Sequence, residues 1–277
     1  MKLTSSKVFV ITIIFCFVFS LTGFSQKKKD KYKEKEVDKS VNIEPMTMED
    51  ALVDPENAFG ITLNQNELTQ LPLELETFVN LQYIDLTGNP KMNFTEAFER
   101  LSKFKNLHTI ILYDNGIKEL PSNISKLTGL RKLEVGSNQL SDLPPEIGKL
   151  INLTSLVLND NLLIQLPPEI GNLTKLKILD LNNNQLSTLP PEIGKLINLQ
   201  RLDVFSNQLS SVPEEICNLK NLKDLILEKN QLIALPIEIN RLTMLKTLEI
   251  FNNPLPDLEI KRVKELLPQC DVVFEEK

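Results

Sequence analysis

The sequence predicts an α/β solenoid: a horseshoe of about nine stacked repeats with a concave parallel sheet, short helical or 3-10 convex segments, and helical caps at both ends. Three observations predict it. Asparagines recur at Asn66, Asn89, Asn115, Asn138, Asn161, Asn184, Asn207, Asn230 and Asn253, in steps of 23 residues except for one step of 26 after Asn89. Leucines fall at fixed offsets around them, as in LKILDLNNNQLSTLPPEIGKLIN (176–198) and the near copy LRKLEVGSNQLSDLPPEIGKLIN around Asn138. With 42% hydrophobic, 25% charged and only 9 glycine residues among 277, the chain can bury a core and is no glycine-rich filament.

Each unit has a physical reading. Leu179 and Leu181 alternate with Ile178, Asp180 and Asn182, so the leucines share one face of a short strand and the other three point outward. Asn184 stands where the chain turns inward. Its amide can both donate to and accept from backbone groups of neighbouring turns, which predicts a ladder through all nine asparagines. Leu189-Pro190 directs the chain into an extended or one-turn connection, because proline disfavours the helical region for the residue before it. Ile193 and Leu196 return as convex anchors. No unit buries its own apolar face, so stability must come from stacking.

The flanks divide the chain further. Lys2 and Lys7, the apolar run Val8–Phe19 and the small residues Gly23 and Ser25 form the three parts of a secretory signal over 1–25, with a cut before Gln26. An uncleaved membrane anchor is the alternative, and Phe15 argues against a lipid on Cys16. Residues 26–40 hold seven lysines and four acids with little apolar material, which reads as a disordered spacer. The N-terminal cap spans 41–57, with a helix starting at Thr47; the repeats span 58–255; the C-terminal cap spans 256–277. In the last, Leu258, Val263, Leu266 and Leu267 are expected on one helical face before Pro268, followed by a final strand at 271–274. The 26-residue unit carries Phe98, Leu101 and Phe104 at helical spacing, which predicts a convex helix that leaves the sheet intact.

Charge and composition exclude several function classes. The net charge is −6, and setting aside the lysine-bearing first 40 residues leaves −11 on the folded body. Nucleic acid, which needs a basic surface, is not an expected partner. One histidine, His108, and three cysteines, Cys16, Cys217 and Cys270, supply neither a metal site nor a nucleophile–base pair. His108 reads as a surface residue, and a Cys217–Cys270 bridge is not expected from the separation of their units. The calcium-binding nonapeptide pattern is absent. The expectation is no enzyme, no cofactor and no metal. The Asn-x-Ser/Thr triplets at Asn123, Asn152 and Asn172 fall inside repeat units.

Strand geometry then nominates a binding face. The middle outward column reads Thr62, Asp85, Ile111, Glu134, Val157, Asp180, Asp203, Ile226, Glu249. Asp180 and Asp203 fall on adjacent rungs, about 4.8 Å apart, which is destabilising unless offset. The first column supplies Tyr83, Lys132, Arg201 and Asp224, and the third Tyr113, Phe205, Glu228 and Phe251. Aromatic rings beside charges at the centre of a sheet have the composition of a binding hot spot. The candidate partner-binding set is therefore Tyr83, Asp85, Tyr113, Glu134, Asp180, Arg201, Asp203, Phe205, Glu228, Glu249 and Phe251. Solubility alone also accounts for polar residues at such positions. Over eight rung spacings the face runs roughly 38 Å, enough for a standard protein interface.

The segments LPPEIG at 143–148, 166–171 and 189–194 resemble the 23-residue leucine-rich repeats shared by bacterial surface proteins and Ras-associated regulators. MEDALVDPENAF (48–59) and LLPQC (266–270) resemble the caps of bacterial members. The resemblance implies a curved parallel sheet whose concave face binds protein, and no particular partner. The resulting expectation is an exported, secreted or cell-envelope, non-enzymatic recognition module. Its partner would be a protein of basic character, with no stable membrane insertion after cleavage and a monomeric state. The alternative is a membrane-anchored, cytosol-facing scaffold or small-GTPase-associated regulator.

Overall fold

The computed structural model describes residues 43–275; the expected signal peptide (1–25) and spacer (26–40) lie outside them. Ten three-residue strands form one open, curved sheet in strict chain order. They are β1 (Gly60–Thr62), β2 (Tyr83–Asp85), β3 (Thr109–Ile111), β4 (Lys132–Glu134), β5 (Ser155–Val157), β6 (Ile178–Asp180), β7 (Arg201–Asp203), β8 (Asp224–Ile226), β9 (Thr247–Glu249) and β10 (Asp271–Val273). Every pair is parallel and in the same register, so the central residues Leu156, Leu179 and Leu202 stack, as do Asp180 and Asp203 beside them. The central residues, from Ile61 to Leu248, are fully buried because the strand pleat turns their side chains into the core and their two neighbours outward. Pairing continues past the strands, with Leu181 N–H donating to Asp203 C=O and Asn183 N–H to Phe205 C=O, each at 2.8 Å.

The strands end at a sharp corner. The residue just before each ladder asparagine lies in the left-handed region. Gln65, Asp114, Ser137, Asp160, Asn183, Ser206, Lys229 and Asn252 have φ between 53° and 55°, and Gly88 has φ 74°. Left-handed backbone costs about 1–2 kcal/mol for a non-glycine residue. The following asparagine offsets it. Asn184 Nδ2 donates to the Leu158 and Leu181 carbonyls at 3.0 Å, while its Oδ1 accepts from Leu163 N–H at 3.0 Å. Asn138, Asn161, Asn207, Asn230 and Asn253 repeat this pattern. Asn89 does likewise, with its Oδ1 accepting from Leu68 N–H.

Two asparagines depart from the expected ladder. Asn66 is exposed, since its unit is the first and has no full repeat before it to supply a carbonyl. Asn115 is buried and its Oδ1 accepts from Asn89 N–H at 2.6 Å, but its Nδ2 has no partner.

On the convex side, Pro144, Pro167 and Pro190 hold ψ near 145° and launch the 3-10 turns Pro145–Lys149, Pro168–Asn172 and Pro191–Lys195. These turns pack closely. A Cβ at Gly194 would stand 2.4 Å from the Glu215 carbonyl oxygen, so the approach of successive units demands glycine there. Cys217 takes the equivalent place one unit later, where the next turn is the shorter Ile239–Arg241. Cys217 and Cys270 are both free thiols.

Among the described residues, three α-helices complete the fold: α1 (Met48–Val53), α2 (Phe94–Leu101) and α3 (Asp257–Leu266). Thr47 caps α1 by accepting from Asp50 N–H, and Met46 pairs with Ile61 at the first sheet edge. In the 26-residue unit α2 takes the place of a 3-10 turn, with Phe98 and Leu101 fully buried, and β2 still pairs with β3. Arg100 of α2 donates to the carbonyls of Leu71 and Pro72 in the unit before it. Arg262 of α3 does the same to Leu235 and Pro236, so the C-terminal cap reuses the geometry of the long unit. Val263 and Leu267 are buried, but Leu258 is 81% exposed, contrary to the shared face expected for them. Five helical residues rotate Leu258 about 140° from Val263. β10 then pairs with β9.

Candidate binding face on the concave sheet

The outward residues of the ten strands and of the corners after them make one continuous face. Its middle column sets Asp85, Glu134, Asp180, Asp203 and Glu249 in the register that places Asp180 against Asp203. Several of these acids also do local structural work. Asp85, Asp180 and Asp203 each accept from the backbone N–H two residues on, at Thr87, Asn182 and Phe205, at 2.9–3.1 Å. They thereby fix the entry to the left-handed corner. The same face carries Lys132, bonded to Glu134 at 2.7 Å, and Arg201, bonded to Asp203 at 2.8 Å.

Curvature crowds this face. Asp203, Glu228 and Glu249 are only 5–8% exposed, although all three sit at outward positions. Neighbouring rungs about 4.8 Å apart cover one another's side chains, so an outward residue on a concave sheet is not thereby exposed. Tyr83, Asp85, Tyr113, Glu134, Asp180, Arg201, Phe205 and Phe251 are half-buried. Phe205 receives the Lys229 ammonium 4.9 Å from its ring centre.

The electrostatics follow from crowding. Burial pushes the Asp180 carboxyl up to about 7, and the adjacent Asp203 adds to it, against the hydrogen bonds of Asn182 and the charge of Arg201. Asp203 is raised as well, by burial, with Arg201 opposing. Burial raises Tyr83 to about 12, with Asp85 and Glu134 contributing, and raises Tyr113 further in the same direction. His108 is half-buried, unlike the surface residue expected, and its ring nitrogens lie 3.0 Å from Thr109 Oγ1 and 3.3 Å from Gln82 Oε1. Burial lowers its pKa, with Arg131 adding to the effect.

Two residues outside the sequence-based set matter to the face. At Gly136 the third column has no side chain, and the space is filled from both sides. A Cβ there would lie 2.2 Å from Tyr113 Cε1 and 2.4 Å from Asn159 Oδ1. Asn159 is 8% exposed, its Nδ2 donates to Asp160, and its Oδ1 has no hydrogen-bond partner. The signal in the sequence was a glycine interrupting the column between Tyr113 and Asn159.

Among the described residues, no group of three His, Cys, Asp or Glu side chains is placed to hold a metal ion, and no helix is long and apolar enough to cross a membrane.

Known structures share this architecture. The plant peptide hormone receptor RGFR1 in complex with RGF2 aligns at 26% identity and TM-score 0.57, covering 78% of this chain and 35% of that one. The ectodomain of the Arabidopsis thaliana receptor kinase GASSHO1/SCHENGEN3, in complex with Casparian strip integrity factor 2, aligns at 28% identity and TM-score 0.60, covering 79% and 27%. The Drosophila Toll–Spätzle complex, at 22% identity and TM-score 0.61, covers 85% and 40% and shows the fold alone. The chain thus spans well under half the length of these receptors. No curated protein sequence matches it. The family model described as a leucine-rich repeat region matches residues 61–181 and 166–268. With that match running through the repeats and a ten-stranded solenoid built from them, the chain belongs to the leucine-rich repeat family.

Proposed function

We propose that this protein is an exported, non-enzymatic recognition module that binds a protein partner of basic character on its concave face. The observation that carries this reading is the composition of that face. Four half-buried rings, Tyr83, Tyr113, Phe205 and Phe251, stand among carboxylates that outnumber Lys132 and Arg201. Aromatic anchors ringed by charge give affinity through buried area and give orientation and on-rate through complementary potential. Two receptors of similar fold, above 25% identity, are described in complex with RGF2 and with Casparian strip integrity factor 2, which supports a protein-binding role. Export rests on the three-part signal at residues 1–25 and is independent of the face.

The test is affinity capture from source cells and their surroundings, with the chain beside a variant carrying Asp180→Asn, Phe205→Ala and Phe251→Ala. Asp203 is left in place because its removal would strand the half-buried Arg201. A partner held by the natural chain, released by salt and lost by the variant is the expected result. Equal retention by both would move the site off the concave face. Mature protein beginning at Gln26 in an external fraction would establish export, and an intact N-terminus in a membrane fraction would refute it.

A further inference from the structure

The position over Gly136, covered by the Tyr113 ring, is bounded by acceptors. Asn159 Oδ1 points into it with no partner and is buried to more than nine-tenths. Glu134 flanks it on the same rung, two residues before Gly136, and receives the Tyr113 hydroxyl. Asp180, one rung past Asn159, is held by Asn182 of its own unit. The nearby cations are engaged, Lys132 with Glu134 and Arg201 with Asp203. The Tyr113 ring lies across the space, and no Cβ at Gly136 fixes it from below.

We infer that Glu134, Asn159 and Asp180 form a subsite for one basic side chain of the partner, a lysine or arginine, with Tyr113 as its movable roof. This rests on the concave-face reading above and names the chemistry that the face selects. A buried acceptor without a donor is a rare and unfavourable arrangement, and a donor brought by a ligand relieves it. An ammonium carries three donors and no acceptor, a guanidinium five, which matches a site made of the Glu134 carboxylate, an amide oxygen and the Asp180 carboxyl, which an entering cation keeps ionised. When Tyr113 swings off Gly136 it uncovers Asn159 Oδ1 and leaves its ring beside the entering alkyl stem and cation. An apolar or acidic side chain brings no donor and would leave the orphan unsatisfied, and a neutral donor would leave the flanking carboxyls without a countercharge.

The test uses three blocked tripeptides, N-acetyl Gly-Lys-Gly amide and its arginine and norleucine counterparts, titrated into the full chain with tyrosine ring signals followed by NMR. The chain has 3 tyrosines, so Tyr113 is assignable by a single substitution. Saturable shifts at Tyr113 with the lysine and arginine peptides, and none with norleucine, are expected. Glu134→Gln and Asp180→Asn should each weaken binding about tenfold, the scale of one charge-assisted hydrogen bond. Asn159→Ala should weaken it about fivefold and Asn159→Asp should tighten it, two changes of opposite sign that a folding defect would not produce. Norleucine binding as well as lysine, or the same affinity in both Asn159 variants, overturns the subsite, the second result leaving an ordered water as the orphan's partner. A failed peptide titration beside a partner still lost by the concave-face variant would sink the subsite alone. Loss of neither would sink the face.

Discussion

Asp180 and Asp203 stand side by side in register on β6 and β7, and the guanidinium of Arg201 is bonded to Asp203 at 2.8 Å. One cation serves two crowded carboxyls unequally, and Asp180 bears the consequence.

That asymmetry predicts a pH dependence. The folded state raises Asp180 from 3.8 to about 7 through burial and the Asp203 charge, so it holds a proton that the unfolded chain has released. The contribution to stability is full below about pH 4 and is lost as pH rises through 7. Asp180→Asn should therefore be more stable than the natural chain at pH 8, on the order of 1–2 kcal/mol after allowance for solvent screening, with the gap closing toward pH 4. Urea midpoints of both proteins across that range measure it. A gap that widens at low pH would reverse the assignment.

The asparagine ladder predicts a sharp contrast between two identical residues. Asn184→Ala takes the amide acceptor from the buried Leu163 N–H and one of two amide donors from each of the Leu158 and Leu181 carbonyls, and should cost roughly 2–3 kcal/mol. Asn66→Ala, at the exposed first position, should change stability by less than about 0.5 kcal/mol. Thermal or urea unfolding of the two variants decides it. Equal losses would mean that the ladder energy does not depend on the unit before it.

The left-handed corner makes its own prediction. Ser206 has φ 54°, where a β-branched side chain is strongly disfavoured. Ser206→Val should destabilise by roughly 1–2 kcal/mol, while Ser206→Gly should be neutral or stabilising. Valine tolerated there without loss would show that the corner relaxes.

Much of the fold was legible because it repeats. A 23-residue period set the register, the buried leucines and the ladder positions, and the helical spacing of Phe98 and Leu101 located α2. The corner conformation was not legible, since Gln65, Asp114, Ser137, Ser206 and Lys229 share no side-chain signature; only their place before an asparagine unites them. Leu258 was misplaced because apolar composition in a short amphipathic segment fixes a face only to within a turn. On the concave side the sequence named the columns but not their exposure. The burial of Asp203, Glu228 and Glu249 comes from curvature, which depends on convex packing dozens of residues away. The filling of the Gly136 position by Tyr113 and Asn159 depends on their rotamers, which the repeat pattern does not encode.

The most direct test of the central claim is hydroxyl-radical footprinting of the chain alone and with its captured partner, read at aromatic and leucine side chains. The account predicts protection of Tyr83, Phe205 and Phe251 on the concave face, with Phe94 on α2 and Leu258 on α3 oxidised as before. Unchanged oxidation of the three concave rings, with protection appearing at Phe94 or Leu258, would contradict it and place the partner on the convex side.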